Sequence, residues 1–332
     1  MYPPQDKLRI FMTTSAIQRS NLMGALFALA AVMCFSLNDV GIKFLSDRYA
    51  LHQVILIRSV IGTLILLAVI MPLAGGLRVM RTRRFGAHLL RGVCVVFANM
   101  CLFLGLAAMP IADAVAVFFV SPLIITIFSV IFLRETVGAR RWAAIAVGFI
   151  GVMVIVKPGT TAFQLASLLP IAAATLYAVM HIVARKIGGT ESAATMAFYI
   201  QSTFIVASVI FGLTLGHGSF AGSGHPSLEF LLRAWGPIAP EDWPILAMLG
   251  VSGVFGGFFI SQAYRLSEAA FAAPFEYVAM PMAIMWGVTV FGTWPAPTAW
   301  IGIALIIGSG LYLIWRESTK GRTLAAKAPR RR

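Results

Sequence analysis

IADAVAVFFVSPLIITIFSVIFLRETVGARRWAAIAVGFIGVMVIV, residues 111–156, decides how the rest of the chain is read. Two apolar runs flank one short charged turn, and each run is too long and too evenly apolar for a strand. The first run carries Pro122 near its centre, and the second is rich in glycine. A second stretch, AFAAPFEYVAMPMAIMWGVTVFGTWPAPTAWIGIALIIGSGLYLIW, residues 270–315, repeats this plan, with Pro281 answering Pro122 and Trp300 answering Trp142. The prolines lie 281 − 122 = 159 residues apart. If five membrane crossings separate the two copies, they run through the bilayer in opposite directions. Inverted repeats of this kind recur in transporters, where two near-equivalent halves exchange inward-open and outward-open shapes around a midplane site.

The composition requires a lipid environment. The 332 residues are 59% hydrophobic and 11% charged, with a mean hydropathy of +0.88, whereas soluble domains carry about 25% charged residues. A helix crossing ~30 Å of hydrocarbon needs roughly 20 apolar residues, and ten such runs are legible: 22–45, 53–73, 88–109, 112–133, 142–156, 165–184, 193–215, 243–266, 269–291 and 299–315. The expected fold is therefore an all-α membrane protein whose ten transmembrane helices form two inverted five-helix repeats. Residues 22–157 make the first repeat and 163–315 the second. Residues 1–21 form a polar tail at one end, and 316–332 a basic tail, expected to be disordered, at the other.

Charge distribution orients these spans. With both termini on one side, that side holds twenty of the 26 Lys and Arg residues, and the opposite loops hold only Arg48, Lys157 and Arg233. Basic loops are retained in the cytoplasm, so both ends are expected there, in the inner membrane. The net charge of +14 is thus topological and does not mark a nucleic-acid partner, which would need the positives on one folded face. No cleavable leader precedes the first span, which is expected to act as its own anchor. Cys34, Cys94 and Cys101 sit in apolar runs without ligand spacing and read as small hydrophobes. The longest loop, 216–242, mixes Gly, Ser and Pro with Leu228, Phe230 and Trp235. It suits either a short surface helix acting as a lid or a passive connection.

Residues 103–156, FLGLAAMPIADAVAVFFVSPLIITIFSVIFLRETVGARRWAAIAVGFIGVMVIV, resemble the EamA domain of the drug/metabolite transporter superfamily. The resemblance lies in the small-residue run after the third span, Pro122, Glu135 at the start of the turn, and the glycine-bearing fifth span. It extends in weaker form over residues 22–315 and implies ten helices with both termini cytoplasmic. Trp294 stands where the second copy would carry its acidic residue, so the role of Glu135 does not transfer there. Residues 38–62, NDVGIKFLSDRYALHQVILIRSVIG, also resemble the first hairpin of the subgroup containing S-adenosylmethionine and riboflavin carriers.

Charges inside spans cost about 2.5 to 3.5 kcal/mol each on insertion scales, so those present must be compensated or used. Asp39 and Lys43 are four apart and can pair on one helix face; alternatively, Asp39 and Asn38 line a polar cavity. Arg58 and Arg91 have no acid at helical spacing. Arg58 is the stronger candidate for a substrate carboxylate or phosphate, and Arg91, near a span end, can snorkel to water. Glu276, flanked by Pro274 and Pro281, lies at depth beside irregular backbone, which survives there only when buried in protein or lining water. It is read either as a coupling carboxylate or as a salt-bridge partner of one arginine. His181, Tyr177 and Gln262 complete the candidate set, with a helix-end role open for His181 and interhelical hydrogen bonding for Gln262 and Asn99. The GVFGG run at 253–257 suits close helix packing or room for a ligand.

These features favour a secondary transporter of a small organic metabolite, tilted by the resemblance toward uptake of a vitamin or cofactor such as riboflavin or S-adenosylmethionine. Amino-acid or drug export is the alternative, and a membrane-embedded transferase is the alternative of another class. No GxxxxGK[ST] loop is present to hold a nucleotide phosphate, and no HExxH or GxSxG motif supports enzyme chemistry. No cofactor and no bound metal is expected; the partners are the substrate and the bilayer, with no oligomer specified.

Overall fold

The computed structural model describes residues 5–74, 76, 81–82, 84–134, 138–160, 164–187, 193–266 and 275–327. Among these residues every regular element is helical: α1 (Gln5–Leu45), α2 (Leu51–Ile65), α3 (Met71–Ala74), α4 (Phe85–Ala108), α5 (Ile111–Phe118), α6 (Ser121–Leu133), α7 (Ala139–Val156), α8 (Leu168–Ile187), α9 (Ala193–Leu215), α10 (Pro226–Leu232), α11 (Trp243–Leu266), α12 (Ala279–Phe291) and α13 (Pro297–Lys327). A π-helical turn, Leu66–Ile70, joins α2 to α3. Six segments are long and apolar enough to cross a membrane: Leu22–Leu45, Leu51–Ile70, Phe85–Ala108, Ile111–Phe132, Ala194–Leu215 and Pro240–Ile260. Shorter apolar helices occupy Trp142–Val156, Leu165–Met180, Ala279–Phe291 and Pro297–Leu313.

The helices pack in pairs, among them α1 on α11, α4 on α8, α2 on α9, α2 on α11, α6 on α8, α4 on α9, α5 on α12 and α7 on α13. Glycines decide how closely some of them approach. A methyl group at Gly151 would lie 2.8 Å from the Gly302 carbonyl oxygen, and one at Gly302 would lie 2.7 Å from the Gly151 carbonyl oxygen. The backbones of α7 and α13 therefore cross in contact, as small residues allow between membrane helices. In the GVFGG run both sequence readings find a place: Gly256 packs on Phe35 and Cys34 of α1, while Gly253 opens toward Asn38 and Arg58.

The two proline-bearing segments break in the same way. A proline lacks an N–H and clashes with the carbonyl four residues earlier; for Pro122 that residue is Phe118, and for Pro281 it is Tyr277. α5 accordingly ends at Phe118, and a turn at Phe119 and Val120 leads into α6. A turn at Tyr277 and Val278 leads into α12. The breaks meet in space, with the rings of Phe119 and Tyr277 stacked at 5.1 Å and 27°.

Two expectations need correction. The fourth span is two helices rather than one, for the reason just given. The polar N-terminal tail, whose conformation the sequence left open, is helical from Gln5 and continuous with the first span. The basic tail expected to be disordered continues α13 as far as Lys327. Pro274, Glu135 and the start of the 269–291 run lie outside the described residues.

Candidate functional site

Three polar assemblies emerge from this packing. The first joins α1, α2, α4, α9 and α11. Arg58, on α2, is 8% exposed. Its Nη1 donates to Asn38 Oδ1 at 2.8 Å, and Asn38 Nδ2 donates onward to the Leu249 carbonyl at 3.2 Å and to Ser252 Oγ at 3.4 Å. The guanidinium lies over two rings, 5.3 Å from the centroid of Phe103 and 5.0 Å from that of Phe204. Two desolvated cation–π contacts at about 2 kcal/mol each are large enough to offset the insertion cost of one arginine, about 2.5 to 3.5 kcal/mol. Its Nε is buried without a hydrogen-bond partner. Asp39, half-buried, acts electrostatically on Arg58. Near this level Trp286 Nε1 donates to Ser36 Oγ at 2.7 Å, so α1 and α12 also meet through a polar contact.

The expected Asp39–Lys43 pair is not formed. Lys43 Nζ turns instead to the Leu106 and Met109 carbonyls, at 2.5 and 2.7 Å, and stands 5.4 Å from the centroid of the Phe291 ring. The last carbonyls of a helix have no partner within it, and a cation at the C-terminus of α4 also meets the negative end of the helix dipole. Lys43 therefore caps α4 and leaves Asp39 to Arg58.

A second assembly lies along α4 and α8, nearer the other end of the bundle. Tyr177 stands within electrostatic reach of both Arg91 and Glu276, and Glu276 also acts on Tyr277. Phe118, at the end of α5, meets Tyr177 edge-on at 5.3 Å. Arg91 is half-buried, and its Nε and Nη1 are buried without hydrogen-bond partners. His181 follows one turn beyond Tyr177, and its side chain lies outside the described residues. Gln262, half-buried, sits ten residues beyond Ser252 on α11, about 15 Å along the helix from the first assembly. Asn99 bonds to the Val95 carbonyl of its own helix at 3.0 Å instead of linking two helices.

The third assembly is a strap made from the 216–242 connection. α10 is pinned by the fully buried Phe230 and by Ser227 Oγ, which donates to the Leu104 carbonyl at 2.7 Å. Arg233 donates to the Ser46 and Tyr49 carbonyls, at 2.8 and 3.1 Å. Trp235 Nε1 donates to His52 Nδ1, which makes Nδ1 an acceptor and leaves Nε2–H to donate to the Leu231 carbonyl at 3.1 Å. Gln53 Nε2 donates to the Gly236 carbonyl at 2.6 Å. Asp242, 1% exposed, accepts from Tyr49 Oη at 2.7 Å and forms an ion pair with Arg48 at 3.2 Å. At the loop's tip, desolvation pushes the Glu229 carboxyl up, but hydrogen bonds from the Gly224 N–H, the Ser223 hydroxyl and the Gly222 N–H outweigh it and hold the group below its ordinary value. The strap therefore ties the α1–α2 turn and α4 to the approach to α11.

Residues 22–157 match the EamA-like transporter family. Over 310 residues the chain is 31% identical to the riboflavin transporter of Vibrio cholerae serotype O1, spanning 92% of this chain and 98% of that protein. The chain belongs to the EamA-like transporter family. It is also 28% identical to the S-adenosylmethionine uptake transporter of Rickettsia prowazekii, across 90% of this chain and 95% of that one. A solved structure described as "Crystal structure of protein" shares the fold with a TM-score of 0.60, at 18% identity and over 89% of this chain and 98% of its own. For this EamA member, then, the fold is that of a multi-pass membrane transporter.

Sequence reasoning put Asn38 and Asp39 on one polar wall and treated Arg58 apart from them; the structure bonds Arg58 to Asn38 and sets Asp39 within electrostatic reach of it, while Tyr177 stands in a separate place with Arg91 and Glu276. Phe103, Phe204, Ser252 and Tyr277 were missed. Aromatic residues in an apolar span carry no signal of what they cover, and only the packing of α9 against both α2 and α4 shows that two of them approach a guanidinium.

Proposed function

We propose that this chain is a secondary carrier that takes a flat, polar heteroaromatic metabolite of the riboflavin or S-adenosylmethionine type across the inner membrane, working by alternating access between two inverted five-span halves. The observation that carries the reading is Arg58, buried over two rings with an unfilled Nε–H where helices from both halves converge. A substrate with a ring to stack on Phe103 or Phe204 and an acceptor oxygen for Nε satisfies both features at once. The relatives that match almost end to end carry substrates with these attributes by name, riboflavin and S-adenosylmethionine.

The helix pairs support the inverted repeat. Exchanging each span with the one five places away turns α1 on α11 into α8 on α4, and leaves α2 on α9, α5 on α12 and α7 on α13 unchanged. Such invariance is what a two-fold axis in the membrane plane requires. The halves are taken as residues 22–157 and 163–315, with both tails cytoplasmic.

The test is uptake of labelled riboflavin and S-adenosylmethionine into riboflavin-auxotrophic cells or proteoliposomes, with and without a pH gradient. Wild-type protein is expected to move at least one of them. Arg58→Ala is expected to raise KM by roughly tenfold or more, the size of one lost charge-assisted hydrogen bond, with a smaller effect for Arg58→Lys. Failure of the wild type to move either compound overturns the substrate assignment.

A further inference from the structure

Two guanidiniums stand at different depths, and both hold buried N–H groups without a hydrogen-bond partner: Nε of the buried Arg58, and Nε and Nη1 of the half-buried Arg91. Buried donors are ordinarily paired, and each exception calls for a reason. Arg58 has a carboxylate, Asp39, acting on it and the rings of Phe103 and Phe204 over it. Arg91 has Tyr177 beside it, with Glu276 acting on the same phenol and Phe118 against its ring. Along α4, Phe103, which covers Arg58, is twelve residues from Arg91, or about 18 Å. A single acceptor group on a small metabolite cannot reach both. The stacked rings of Phe119 and Tyr277, where the two broken segments cross, belong to the second group's own elements, since Tyr277 directly follows Glu276 and Phe119 follows Phe118.

We propose that the Arg91–Tyr177–Glu276 assembly is a second substrate station, which receives the acceptor group of the substrate after it leaves Arg58. This rests on the transport reading above. In the conformation that opens past the strap, the substrate's acceptor oxygen bonds to Arg58. In the opposite conformation it transfers to the free Nε and Nη1 of Arg91, and its ring moves to Tyr177 and Phe118. Each guanidinium is satisfied by substrate in only one state, which gives each state a differential affinity for the same ligand, as a population shift requires.

The proposal makes Arg91 a ligand-binding cation and not an anchor between helices, and these two roles predict opposite effects on stability. Replacing a buried, incompletely paired charge by an apolar side chain of similar volume is neutral or stabilising, whereas removing half of a structural ion pair is strongly destabilising. Arg91→Met is therefore expected to hold or raise the Tm of the purified protein in detergent. A lowered Tm, or failure to fold, identifies Arg91 as an anchor and overturns the station; this readout needs no knowledge of the substrate. In proteoliposomes loaded from either side with riboflavin, or with S-adenosylmethionine if that is the compound carried, Arg91→Ala is expected to raise KM roughly tenfold for movement out of the compartment facing Arg91. KM for entry from the strap side stays near the wild-type value, Arg58→Ala gives the reverse pattern, and Arg91→Lys partly rescues. Equal changes in KM on both sides for Arg91→Ala overturn the proposal. If wild-type protein moves neither compound, the substrate assignment fails and the Tm result alone decides the station.

Discussion

Lys43 and Arg58 illustrate two ways in which a cation is accommodated at membrane depth. Arg58 is held by π faces and one amide, and Lys43 by two carbonyls at the end of a neighbouring helix. The i, i+4 spacing of Asp39 and Lys43 suggested a local pair, and on an isolated helix that would be the best available arrangement. The better partner for Lys43 was a helix terminus more than sixty residues away in sequence, which no spacing rule can reveal. Lys43→Met removes both hydrogen bonds while preserving the stem, and leaves the Leu106 and Met109 carbonyls without this donor. It is expected to cost about 1 to 3 kcal/mol of stability, read as a lowered Tm in detergent, and an unchanged Tm would remove the capping role. Arg58 itself was legible as a candidate from its lack of an acid at helical spacing, but its two aromatic contacts were not.

Among the elements, the spans were the most legible feature, because lipid demands long apolar runs and charges punctuate them. The breaks at Phe119–Val120 and Tyr277–Val278 were foreshadowed by Pro122 and Pro281, yet nothing in the residues indicated that the two breaks would stack against each other. Glycine gave a similar partial signal: the Gly-rich helices were read as similar, and the structure pairs them backbone to backbone at Gly151 and Gly302. A methyl group at Gly151 meets main-chain atoms that cannot rotate away, so Gly151→Ala is expected to destabilise by about 1 to 3 kcal/mol. Gly308, on the same helix as Gly302, has open space for 4 Å around the point where a methyl group would sit, and Gly308→Ala is expected to be neutral or slightly stabilising. Thermal unfolding of the two variants side by side is the check; equal effects would mean that the contact is not limiting.

At the scale of the whole molecule, the helix pairings are preserved when spans five places apart are exchanged, a regularity that the sequence carries only as faint echoes around Pro122 and Pro281. The charge bias gave an orientation for that symmetry before any contact was known. Reactive tags placed at residue 2 and after residue 332 are expected to be labelled from the same side of sealed vesicles, and a tag at Ser223 in the strap from the opposite side. Labelling of the two ends from opposite sides would mean an odd number of crossings and no inverted pair of halves.

Among the described residues one end of the bundle is fastened by a strap that joins the α1–α2 turn to Asp242, Arg233 and Trp235. An empty carrier fastened at one mouth spends most of its time facing the other compartment. Ligand arriving at the fastened mouth then meets only the minority of molecules that have come undone, and its apparent dissociation constant is inflated by the inverse of that fraction. Weak affinity measured from the fastened side would then reflect the rarity of the receptive shape more than poor contacts in it, and sequence changes in the strap could retune transport.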